Sequence, residues 1–112
     1  MQYKLLNTQV VAAAGSTIAD AAAIGTKAPC LVHVTGADAT KGVKLPPASA
    51  GQMVIIKNAD AANAVLKVYP ASTADGINAI TLGDPISMAA KTCAVFAAID
   101  QTTWFTSPLL PS

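Results

Sequence analysis

The stretch from Gly42 to Pro70, G-V-K-L-P-P-A-S-A-G-Q-M-V-I-I-K-N-A-D-A-A-N-A-V-L-K-V-Y-P, leaves little choice of fold class. It reads as three short strands with two connections. Gly42-Val43-Lys44-Leu45 is closed by Pro46-Pro47. Gln52 to Lys57 follows a small-residue loop that ends at Gly51. Ala64 to Tyr69 is stopped by Pro70. β-Branched and aromatic residues suit a pleated, half-buried surface, and Pro and Gly mark its limits. The connection Asn58 to Asn63 has turn chemistry, since Asn and Asp side chains bond the local backbone.

The flanks continue this pattern. Met1 to Val11 reads as an extended arm or edge strand, and Thr17 to Ile24 as either one helical turn or a strand with a loop. Ser16 is the candidate helix cap. Pro29 to Thr35 is a strand. Asp75-Gly76 and Gly83-Asp84-Pro85 are turns around the short Ile77 to Ile80. Thr92 to Ile99 is the last long strand, and Thr102 to Thr106 pairs back on it as a hairpin. The tail after Ser107 holds two prolines, which excludes a central strand. The expectation is an all-β chain: a small antiparallel β-sandwich or barrel of about eight short strands, with strand starts roughly ten residues apart. Residues 1–28 form an N-terminal arm and first element, and 29–112 the β-domain, within one domain overall. No internal repeat is legible.

Charge narrows the function. All seven basic residues are Lys and all six acidic residues are Asp. Without Arg the chain lacks the usual bidentate reader of phosphate, and its scattered lysines form no nucleic-acid footprint. Only 12% of residues are charged, against roughly 25% in an ordinary domain. So few charges leave much of the surface apolar, and such surfaces mark interaction sites. The subunit is therefore expected in a homo-oligomer or a larger assembly. No run approaches the ~20 apolar residues of a membrane helix. Asn7, Thr8 and Gln9 interrupt the apolar core that a secretion signal needs. A full gene product made in a cytoplasm is the expectation.

Residues that carry chemistry are sparse. His33, the one histidine, has no Cys or His at ligand spacing and reads as a half-exposed strand residue. Cys30 and Cys93 read as buried free thiols in apolar strands; a bridge would need those strands adjacent. Asp75 and Asp84 read as turn formers. Asp60, Asp75 and Asn78 do not have the spacing of a calcium loop. No phosphate-binding glycine loop or nucleophile elbow occurs. No catalytic residue, cofactor or metal is expected. Trp104 and Phe105 form either a core anchor or a stacking platform for sugar.

The segments G-V-K-L-P, A-G-Q-M-V-I-I-K-N, A-N-A-V-L-K-V-Y-P, D-G-I-N-A-I, I-S-M-A-A-K-T-C-A-V-F-A-A and T-T-W-F-T, between Gly42 and Thr106, resemble a type of small tailed-bacteriophage virion protein. The resemblance implies a capsid decoration (cement or head-fibre) protein, or a domain attached to tail fibres. It implies an all-β and commonly trimeric molecule, with no catalytic residues to carry over. The expected function is thus a homotrimeric decoration protein on the outside of a phage head, bound to the major capsid protein and stabilising the shell. The alternative is a tail-fibre or receptor-binding domain that reads a host glycan through Trp104, Phe105 or Tyr69. Neither reading involves nucleic acid or membrane. From position and apolarity, the interface residues are Tyr3, Leu5, Leu6, Val10 and Val11 on the arm, Trp104 and Phe105 in the hairpin, and Leu109 and Leu110 in the tail.

Overall fold

The computed structural model describes residues 7–25, 30–59 and 64–111. Among them are ten strands: β1 (Asn7–Ala12), β2 (Ala22–Ala23), β3 (Cys30–Thr35), β4 (Gly42–Lys44), β5 (Met53–Asn58), β6 (Leu66–Tyr69), β7 (Gly76–Ile77), β8 (Ile86–Met88), β9 (Cys93–Ala98) and β10 (Thr103–Ser107). They form a six-stranded sheet in the order β1-β3-β5-β9-β10-β7 and a four-stranded sheet in the order β2-β4-β6-β8.

The chain is all-β, but it is not the expected antiparallel sandwich or barrel. It is a mixed, largely parallel β-solenoid of about four turns. From β1 to β6 the chain alternates between the two sheets. β1 pairs in parallel with β3, and β3 with β5; β2 pairs in parallel with β4, and β4 with β6. Parallel neighbours need a crossover connection. Here the crossover of each sheet is a strand of the other. In the larger sheet, Asn7, Cys30 and Val54 stand side by side, so each turn takes up about two dozen residues.

The expected strands around Gly42 to Tyr69 are present as β4, β5 and β6, but their pairing differs. A hairpin would place β4 against β5. Residues 45–52 instead carry Pro46-Pro47, which offer no N–H to a tight turn. The chain turns a corner there, and Leu45 extends the smaller sheet by donating its N–H to the Tyr69 carbonyl at 2.9 Å. The β9–β10 hairpin is antiparallel, as expected.

Of the two expectations for the N-terminal segment, arm or edge strand, the described part is the edge strand. From Asn7 onward it lies in the larger sheet against β3. Thr17 to Ile24 is not a helix. Asp20 gathers the backbone N–H groups of Ser16 and Thr17 at 3.1 and 2.8 Å and closes a turn into β2. Gly15 makes this turn possible: its φ is +74°, and a Cβ there would run into the Asp20 carbonyl.

The core lies between the sheets. Val32, Val34, Val54, Ile56, Phe96 and Trp104 face inward from the larger sheet, against Val43, Leu66, Val68, Ile86 and Met88 of the smaller one. Asn58 is fully buried among them and binds the two sheets together. Its side-chain N–H groups donate to the carbonyls of Ala64 and Met88, each at 3.1 Å. Outside the smaller sheet, the Tyr69 ring lies over Gly42, where a Cβ would sit 2.8 Å from the ring and 2.7 Å from the Lys67 carbonyl.

Candidate interaction surfaces

The alternation of side chains along β3, β5, β9 and β10 sends one set inward and the other to the outer face of the larger sheet. Strand register then arranges the outer set in rows. One row is Thr8, Leu31, Ile55, Val95 and Ser107; the next is Met53, Ala97 and Phe105. Leu31, Ile55, Val95 and Ala97 are half-buried by their neighbours. Met53 and Phe105 stand out further, 37% and 43% exposed. The result is a continuous apolar surface over the middle of the sheet. Its border is the row Val10, His33, Lys57 and Cys93.

The outer face of the smaller sheet differs in chemistry. Lys44 and Lys67 are half-buried there, and the Lys67 ammonium donates to the Ser87 hydroxyl at 2.8 Å. The Tyr69 hydroxyl donates to the Ser16 carbonyl at 2.9 Å. Burial, with the Asp20 carboxylate a smaller contributor, pushes the Tyr69 phenol above its ordinary range. One broad face is therefore apolar and the other carries lysines.

Three exposed aspartates, Asp20, Asp38 and Asp100, serve turns. The Thr17 hydroxyl is the main reason the Asp20 carboxyl is held below its usual range. The Thr40 hydroxyl does the same for Asp38, and the Thr102 backbone N–H for Asp100. Each carboxylate accepts local donors that favour its charged form. Lys41 makes an exposed ion pair with Asp38 at 3.8 Å.

The residues expected at an interface are scattered. Tyr3, Leu5 and Leu6 lie outside the described residues. Val10 is 75% exposed on β1, whereas Val11 packs partly against the core. Phe105 lies on the apolar face, but its neighbour Trp104 points the other way and is fully buried. Trp104 therefore has no surface to offer to a partner or a sugar, because strand alternation gives adjacent residues opposite faces. Leu109 is 78% exposed, and Leu110 packs against the core. The tail does not reach outward as a whole: the Ser87 N–H donates to the Pro111 carbonyl at 2.8 Å and fastens it beside β8.

His33 is an exposed strand residue, as expected. Cys93 is exposed and free, contrary to the buried thiol expected, because Ala94, Phe96 and Ala98 occupy the inner face of β9. β5 separates β3 from β9, so Cys30 and Cys93 do not lie on adjacent strands. Asn78 is committed to Thr106: it donates to the hydroxyl at 2.8 Å and accepts the backbone N–H at 2.9 Å. Among the described residues, no three His, Cys, Asp or Glu side chains converge as a metal site would require.

Sequence reasoning missed Leu31, Ile55 and Val95 as surface formers. Continuous apolar runs hide strand parity, and the signal was only the polar partner in each alternation, His33 in β3 and Lys57 in β5. Compared with protein-family models, with curated proteins and with solved structures, the chain matches none.

Proposed function

We propose that the chain is a structural virion protein: a capsid decoration protein that binds the outside of a phage head as a homotrimer and stabilises the shell. The observation that carries this reading is the apolar outer face of the six-stranded sheet, from Leu31 through Ile55 and Val95 to Phe105. A contiguous exposed apolar face is a docking surface in a soluble subunit. Burying it contributes roughly 25 cal/mol per Å² of apolar area. A three-fold subunit multiplies each weak contact through effective concentration. The resemblance of Gly42 to Thr106 to small tailed-bacteriophage virion proteins, which covers decoration proteins and tail-fibre domains alike, supports a virion protein. Glycan recognition has less support, because only Phe105 of its three expected residues is exposed: Trp104 is fully buried, and Tyr69 is buried with its hydroxyl bonded to the Ser16 carbonyl.

The test is the location of the chain. Particles purified from a culture that carries the gene are expected to contain it in fixed ratio to the major capsid protein, with added density on the shell exterior by electron cryomicroscopy. Phe105→Ala, at a half-exposed position, is expected to fold normally and to weaken attachment by about tenfold or more. Particles without the chain, or density confined to the tail, would overturn the proposal.

A further inference from the structure

The solenoid has two different ends. At the far end the edges are short or covered. β7 has two residues, and the Ser87 N–H on the outer side of β8 is taken by the Pro111 carbonyl. At the near end, β1 is a six-residue edge strand that no other strand covers among the described residues. Its sequence, N-T-Q-V-V-A, holds no charge and no proline, which are the usual guards of an open edge.

The ladder shows which groups are open. The Ala13 N–H donates to the Thr35 carbonyl at 2.8 Å. In a parallel ladder, alternate residues use their backbone groups on the same side. The N–H and C=O of Thr8, Val10 and Ala12 therefore point away from β3 along the open edge.

We infer that this edge pairs with β1 of a second copy, antiparallel about a two-fold axis at Val10. That register places Val10 opposite its own counterpart and Thr8 opposite Ala12 of the other chain. Every open group of the edge then meets a complementary group, as hydrogen-bonded antiparallel pairs require. The absence of charge lets the strand face itself without repulsion. Head-to-tail stacking has no comparable edge to meet at the far end, so the association closes as a two-fold rather than growing into a fibre. Val10, 75% exposed in the single chain, is covered at the axis. The pairing would join the two larger sheets edge to edge. It leaves the apolar outer face free, goes beyond the decoration reading and does not depend on it.

Proline at Val10 provides the test. The Val10 N–H points outward, so Val10→Pro removes an open donor and spares the β1–β3 ladder, a placement that edge strands tolerate. Sedimentation across a concentration series is expected to show a species of twice the basic mass in the wild type and in Val10→Ala. In Val10→Pro that mass should be halved, from six copies to three or from two to one. Val10→Lys, which opposes two like charges at the axis, should act like Val10→Pro if the proline variant fails to fold. The amides of Thr8, Val10 and Ala12 should exchange more slowly at high protein concentration. A wild type without the doubled species, Val10→Pro and Val10→Lys that associate as the wild type does, or exchange independent of concentration would overturn the inference.

Discussion

Trp104→Ala is expected to destabilise the fold by about 3–5 kcal/mol, the range for removing a buried large aromatic residue. Trp104 is the largest fully buried side chain among the described residues. It stands opposite Ala98 in the hairpin and beside Ile77 of β7. The small Ala98 opposite it on the inner face of β9 leaves room for the indole. Truncation leaves a cavity in a close-packed interior. The position is also where the coil ends, since β10 holds β7 in place. Thermal unfolding followed by circular dichroism should show a midpoint lowered by more than about 10 °C. Trp104→Phe should cost much less. The indole N–H has no hydrogen-bond partner in its buried setting, so a ring without that donor loses no bond.

Asn58→Leu is expected to be the most damaging near-isosteric change. Leucine has almost the same shape and is more apolar, and simple burial would favour it. Hydrogen bonding decides the other way. Asn58 donates to the carbonyls of Met88 and Ala64, which belong to β8 and to the approach to β6, while Asn58 itself ends β5 in the other sheet. Each buried carbonyl left without its donor costs about 1–3 kcal/mol. The full cost falls on Met88, whose bond is buried; the Ala64 bond is only partly so. Chemical denaturation should give a lower midpoint for Asn58→Leu with an unchanged slope. A midpoint equal to that of the wild type would show that the two sheets do not depend on this link.

The strands were legible because Gly, Pro and Asp mark their ends and because β residues fill them. The β9–β10 hairpin was legible because Asp100-Gln101 is a short connection between two β runs. Pairing was not legible, since a strand reads the same whether its neighbour is the next strand or one a full turn away. The solenoid period was hidden by its own contents. Gln9, Val32 and Ile56 occupy equivalent positions on successive turns, as do Val11, Val34 and Asn58. Stacking needs compatible volumes at these positions, not identical residues, so no repeat appears in the sequence. Asn58 read as the start of a turn because Asn favours turns; its burial comes from bonds to residues that lie up to 30 positions away. The apolar face was hidden for a related reason. In β9 both faces carry apolar or small residues, so parity could not separate Cys93 and Val95 from Phe96. Low charge did indicate that such a face exists, but not which residues form it.

The central proposal is that this chain works by association. The most direct test is its mass in solution, measured by light scattering over a range of concentrations. The chain mass is 11.2 kDa. An assembly built on three copies, which the β1 edge can double, is the expected result, and Phe105→Ala should weaken its attachment to the shell. A single-chain mass at every concentration, with and without the shell it is proposed to decorate, would contradict it.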